Sequence, residues 1–206
     1  MQVRAEDTGN ALSLLARFGT LGVGAEASAA LSDRWGLRLG VNGYSTDEHI
    51  DETDVSYDAE IDLRNAGLTV DWHPARGAFR VSLGAYYNGT EFGLTGRTKS
   101  GTFEINNRTY TSAQIAGFTG RITFNKFAPF FGVGFSNNAK KGFAYSIDLG
   151  YLYQRSPKIE LNVTCGTGVS CTQLQADVAA ETVQLREDLK DYKYWPVLHV
   201  GFGYAF

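Results

Sequence analysis

From Tyr194 to Phe206 the side chains alternate in character, and that alternation limits what the chain can become. Tyr194, Pro196, Leu198, Val200, Phe202, Tyr204 and Phe206 fall on one side, with His199, Gly201, Gly203 and Ala205 on the other. Successive side chains of an extended strand point to opposite faces, so this is a strand with one apolar, aromatic-tipped face. The same period returns at Leu21–Leu31, Trp35–Val41, Ala66–Trp72, Phe79–Ala85, Phe127–Phe135 and Phe143–Tyr153. Gly, Ser, Thr and charged residues interleave the apolar ones there, so no run approaches the roughly 18 apolar residues a membrane-crossing helix needs. Twenty-four glycines and 13% aromatic residues suit crowded, turning sheets, and a net charge of -3 gives no pull towards nucleic acid.

An alternating strand ending on Phe206, with Phe202 and Tyr204 before it, resembles the C-terminal signal of bacterial outer-membrane β-barrels. The resemblance is to small barrels of the OmpA/OmpW type, and those three aromatics would be the assembly signal. It implies a bacterial outer-membrane location reached through the periplasm. The implied partners are the lipid bilayer, lipopolysaccharide and the barrel assembly machinery, and the implied state is a monomer. Met1-Gln2-Val3-Arg4 has no apolar signal core, so a mature form with its signal peptide removed is expected. A soluble lipocalin-like barrel is the competing fold, with the apolar face turned inward. Gly, Ser and charged residues suit a narrow lumen, and bulky aromatics at strand ends suit a bilayer, which favours the membrane form.

Connections alternate short and long: 32–34, 45–58, 74–77, 95–117, 137–142 and 165–191. Outer-membrane barrels keep short turns on the periplasmic side. The last strand then runs towards the periplasm, and counting back leaves an upward strand missing at the start. Ala11–Phe18 is the candidate, with an N-terminal helix as the alternative. The reading is therefore an all-β, eight-stranded, antiparallel, up-and-down transmembrane β-barrel over 11–206, preceded by a polar segment 1–10. Pro74–Gly77 reads as a four-residue turn that sets Trp72 opposite Phe79 and Asp71 opposite Arg80. Within 95–117 a small hairpin is expected to turn at Asn106-Asn107. Thr172 and Gln175 suggest a capping box for an amphipathic helix in the last long loop, with Leu174, Val178, Leu185 and Leu189 on its stripe.

Trp35, Trp72, Phe79 and Phe143 all fall beside short turns and form an expected aromatic girdle. Glu26, Arg38, Asp71, Arg80, Asp148 and His199 point to the face opposite lipid, where eight strands leave just enough room for side chains. Such charges should pair, with Asp71–Arg80 and Glu26–Arg38 as the neighbouring-strand pairs, in a plug that blocks water. A gated polar pathway is the alternative. Cys165 and Cys171 flank a Gly-rich loop, and an oxidising periplasm favours a disulfide over free thiols. His49 with Asp47, Glu48 and Asp51 is the one cluster that could serve catalysis, and it reads as a solvated loop. No catalytic residue, metal site or cofactor is assigned. The functional expectation is a non-enzymatic barrel in envelope structure or surface interaction. Passage of small hydrophobic solutes, a lipid-modifying enzyme and a lipocalin-like carrier stand as alternatives.

Overall fold

The computed structural model describes residues 12–51, 55–137 and 139–206, so the polar segment 1–10 lies outside the described residues. In chain order the strands begin β1 (Leu12–Gly19), β2 (Gly22–Ala30), β3 (Trp35–Asp51), β4 (Val55–Trp72) and β5 (Phe79–Asn88). Then come β6 (Glu91–Thr98), β7 (Thr102–Ile105), β8 (Arg108–Thr111), β9 (Ile115–Thr123) and β10 (Phe127–Ser136). The chain finishes with β11 (Gly142–Tyr153), β12 (Lys158–Cys165), helix α1 (Cys171–Asp188) and β13 (Tyr194–Ala205).

Eight of these strands close on themselves. The order is β1, β2, β3, β4, β5, β10, β11, β13 and back to β1, with every neighbouring pair antiparallel. A closed ring leaves no unpaired edge, which is how an antiparallel sheet satisfies all its backbone groups internally. The missing first strand is β1, paired on both sides, and the N-terminal helix alternative is set aside. An apolar inward residue is what made it ambiguous in sequence: Leu15 points inward with Arg17 while Leu12, Leu14 and Phe18 point out, so Leu14 and Leu15 break the alternation. Apolar side chains face outward around the ring, as with Leu39, Leu83 and Leu149, each more than half exposed. That is the reverse of a lipocalin-like carrier.

The ring accounts for only part of the chain. β3 and β4 run on past it as one long hairpin, paired from Trp35↔Trp72 up to Asp51↔Ser56. The expected loop over 45–58 is therefore strand on both sides of its tip. β4 changes partner along its length: Asn65–Trp72 pairs with β5, and Val55–Asp62 pairs with β6. β9 and β12 extend this outer sheet to the order β3, β4, β6, β9, β12. The expected loop over 95–117 is largely strand too, and its β7–β8 hairpin does turn at Asn106 and Asn107. Both have positive φ, a backbone conformation that short Asn side chains tolerate.

Three local expectations change. Trp72 pairs with Val81 rather than Phe79, and Asp71 with Ser82 rather than Arg80, a slip of two residues. The turn is longer than Pro74–Gly77: His73 leaves the strand to bond Arg34 and Gly77, and Phe79 and Arg80 pair only with β10. A two-residue slip preserves which face each side chain takes, so the inward set survives. Leu21, expected outward, sits in the β1–β2 turn and folds into the interior at 1% exposure. The helix starts at Cys171 with Ser170 as its N-cap and no side-chain cap, so Thr172 and Gln175 form no capping box.

Candidate functional site

Seven ring positions send polar side chains to one level of the interior. β1 supplies Arg17, β2 Glu26, β3 Arg38, β4 Asp71, β5 Arg80, β11 Asp148 and β13 His199, all buried. Arg38 is the hub. Its Nη1 donates to Glu26 (3.0 Å) and Asp148 (3.1 Å), and its Nη2 donates to Asp71 and to Ser82 Oγ (both 3.0 Å). Ser82 in turn donates to Asp71 at 2.6 Å. Arg80 grips Asp148 with Nη2, 2.8 and 3.0 Å from its two oxygens. Arg17 lies 2.9 Å from Glu26 and donates to His199 Nδ1, which leaves the imidazole proton on Nε2.

Both pairs expected from sequence are within ion-pair distance, Glu26–Arg38 at 3.0 Å and Asp71–Arg80 more loosely at 3.8 Å. Arg80 makes its hydrogen bonds past β10, to Asp148. It can do so because β10 carries Gly134 at that level: a Cβ there would lie 2.5 Å from Asp148 Oδ1 and 3.2 Å from Arg80 Nε. Gly40 makes similar room on β3, where a Cβ would meet Arg17 Nη1 at 2.6 Å. Arg17 was absent from the sequence-derived cluster because β1 was the ambiguous strand. Its spacing from Ser13 and Leu15 on one face was the signal that could have found it.

Three guanidinium groups thus face three carboxylates, and their formal charges cancel. A lone buried charge costs several kcal/mol, so mutual pairing is what permits the whole layer. Towards the long connections the interior turns apolar. Leu21, Tyr86, Ala128, Phe130, Leu152 and Val197 form one packed cluster, with Tyr86 and Phe130 rings 5.5 Å apart. Above it Trp195 meets Phe92 and Phe124 at 6.2 and 6.4 Å, tying the outer sheet to the ring. Towards the short turns a cavity of about 910 Å³ opens instead, bordered by His73, Arg76 and Lys140 and floored by Glu26, Arg38, Asp71 and Arg80. The interior is a vestibule that ends on ion pairs and then on hydrocarbon.

Outside, Trp35 pairs across from Trp72, and Phe143 across from Tyr204 beside Phe202. Phe79 lies 5.3 Å from Phe135 and Tyr204 the same distance from Phe206. All flank the short turns. A second belt of Tyr87, Phe127, Tyr153 and Tyr194 lies at the opposite end, exposed. Tyr194 and Tyr204 are ten residues apart on β13, about 33 Å of strand, or about 25 Å of height at a tilt near 40°. That height matches the apolar band of outer-membrane barrels.

Beyond the ring, Cys165 and Cys171 are joined in a disulfide, Cα atoms 5.6 Å apart, which fastens the start of α1 to β12. The helix buries Leu174, Asp177, Val178 and Thr182, with Leu185 and Leu189 only half covered. Asp177 was missed by a reading that sought an apolar stripe. It accepts hydrogen bonds from the Tyr110 hydroxyl, Asn106 (3.2 Å) and Gln173 (3.1 Å), which hold its carboxyl below the usual range and push the Tyr110 hydroxyl up. Arg186 donates twice to the Ile159 carbonyl at 3.1 and 2.6 Å, so α1 covers the outer edge of β12. His49 bonds Asp58 at 2.5 Å across the β3–β4 hairpin, which raises its pKa, while Lys99 meets Asp51 at 2.5 Å. That cluster is an exposed set of cross-strand ion pairs.

No family model and no curated protein matches the chain. Among solved structures, the fold is similar to Acinetobacter baumannii CarO, with 26% identity, a TM-score of 0.62, and 94% of this chain and 97% of that one covered. Acinetobacter baumannii CarO2 is 23% identical with a TM-score of 0.63, covering 96% and 99%. A major outer membrane protein from Thermus thermophilus is 14% identical with a TM-score of 0.45, over 95% and 99%. The structure neighbours are outer-membrane β-barrel proteins, and the antiparallel up-and-down sheet is what this chain shares with the two Acinetobacter structures.

Proposed function

We propose that this chain is a non-enzymatic barrel of the bacterial outer membrane, in the small OmpA/OmpW size class, acting in envelope structure or surface interaction. The observation that carries the reading is the interior layer in which Arg17, Arg38 and Arg80 are matched by Glu26, Asp71 and Asp148, all buried. A conducting pore of this width needs polar groups turned towards water; here they are turned towards each other. The outward apolar band and its two aromatic belts meet the bilayer, and the β3–β4–β6–β9–β12 sheet with α1 stands beyond it, level with lipopolysaccharide. During biogenesis the Phe202–Tyr204–Phe206 face is read by the barrel assembly machinery, and the protein acts as a monomer. Planar-bilayer recording tests the sealed interior. Insertion without steady current steps is the expected result, and a stable unitary conductance in the unmodified protein would overturn the reading.

A further inference from the structure

The outer sheet, β7 and α1 border a second, half-open cavity, separate from the ring interior and about 230 Å³ in volume. Its walls are apolar: Phe103 and Ile105 on β7, Phe118 on β9, Leu161 and Val163 on β12, and Val178 on α1. Phe103, Ile105, Leu161 and Val163 pack against the buried cluster of Tyr110, Ile115, Leu174 and Val178, yet each is only partly covered. Side chains lining a void lose dispersion contacts on that side, and a helix free to settle would move to recover them. This helix is not free to settle. The Cys165–Cys171 disulfide holds its first turn, Asp177 is bonded to Tyr110 and Asn106, and Arg186 is bonded to the Ile159 carbonyl. Three tethers along α1 keep the space open.

Size and charge narrow the occupant. An apolar cavity of about 150 Å³ accommodates a benzene ring, so this one has room for a ring with a two-carbon arm. The charged side chain at its margin is Glu181, half-buried on α1, while Glu104, between Phe103 and Ile105 on β7, turns to the opposite face of that strand. Glu181 Oε2 is aligned there by the Asn106 backbone N–H at 3.0 Å. An apolar pocket with a few convergent polar groups is the usual form of a small-molecule site. We propose that this cavity binds a small arylalkyl ammonium ion, its ring between Phe103, Phe118 and the β12 aliphatics and its ammonium group at Glu181. The site does not depend on whether the ring conducts.

The test uses the full chain in lipid nanodiscs, with phenethylammonium as probe and binding followed by calorimetry and saturation-transfer NMR. Saturable one-to-one binding is expected, with phenylacetate weaker by roughly tenfold or more because its charge opposes the Glu181 carboxylate. Val178→Phe and, independently, Leu161→Phe fill the space and abolish binding, each first shown to keep wild-type circular dichroism and gel migration. Glu181→Gln weakens phenethylammonium by about threefold to fivefold and leaves phenethyl alcohol unchanged, and Glu104→Gln alters neither. Equal uptake by wild type and either filled variant would mean partition into lipid and would overturn the site. Phenylacetate binding as tightly as phenethylammonium, or no saturable binding at all, would overturn it as well.

Discussion

Replacing Arg38 with Met keeps much of the side-chain volume and removes the hub of the interior layer. The substitution deletes hydrogen bonds to Glu26, Asp148, Asp71 and Ser82 and leaves three carboxylates facing two guanidinium groups. Arg80 and Arg17 still serve Asp148 and Glu26, so Asp71 is the group left worst off, with Ser82 near and Arg80 3.8 Å away. Breaking one member out of a buried ion pair costs about 3–5 kcal/mol, and at 4% exposure Arg38 has no solvent to soften that. The loss is a large part of the 5–15 kcal/mol typical of a folded domain. Adding Asp71→Asn to Arg38→Met restores charge balance, so the double variant should recover about 2 kcal/mol relative to the summed single costs. Reversible urea unfolding in lipid vesicles, followed by tryptophan fluorescence and gel migration, gives all four corners of the cycle. A single-variant cost below about 1 kcal/mol, or strict additivity, would refute the idea that the layer is held together by charge pairing.

Gly134→Ala puts a methyl group 2.5 Å from Asp148 Oδ1, so it should destabilise the ring by about 1–3 kcal/mol in the same unfolding assay, and an unaffected protein would argue against the Arg80–Asp148 reach. Serine at both Cys165 and Cys171 opens a link of sequence separation 6, worth about 2 kcal/mol by loop entropy. Hydrogen exchange should then quicken in α1 and stay unchanged in β11 and β13. Asp177 has a folded pKa below its usual value near 3.8, so its contribution to α1 docking is complete above that pH and fades as pH falls through the lower folded value. Exchange protection of α1 that is flat across that range would contradict it. His49 has a folded pKa above 6.5, so its support of the hairpin tip is present below 6.5 and lost as pH rises through the folded value. NMR titration should place His49 above 6.5, and Asp58→Asn should bring it back down.

The ring was legible because it has two different surroundings. Lipid on one face and a crowded interior on the other write a period of two into Phe143–Tyr153 or Tyr194–Phe206, and the direction of the last strand exposed β1 by counting. Where water lies on both faces that signal fades. Thr46, Asp47, Glu48 and His49 are strand residues with partners on β4, yet their polarity reads as loop. β12 is different: Ile159, Leu161 and Val163 alternate with polar residues, so its period of two was present in the sequence and only its place under α1, outside the ring, was not. The inward-facing charges could be named from parity alone, since a two-residue slip in the β4–β5 register does not change faces. Their partners could be named only in part: Glu26–Arg38 forms as neighbouring strands suggest, whereas Arg80 reaches Asp148 across a third strand through the space at Gly134. Asp177 stayed invisible because a buried carboxylate on a helix is recognisable only once Tyr110 and Asn106 are seen beside it.

Nitroxide accessibility along β11 tests most directly whether this ring stands in a bilayer around a closed interior. Labels would be placed singly from Phe143 to Tyr153 in the full chain reconstituted in lipid. The outward series Phe143, Tyr145, Ile147, Leu149 and Tyr151 is expected to relax with oxygen and resist a water-soluble nickel reagent, most strongly at the middle positions. Ala144 and Ser146 line the vestibule and are expected to admit nickel, whereas Gly150 and Leu152, beyond the ion-pair layer, are expected to resist both reagents. Nickel access at Ile147 or Leu149 would contradict a lipid-facing band, and nickel access at Gly150 or Leu152 would contradict a sealed interior.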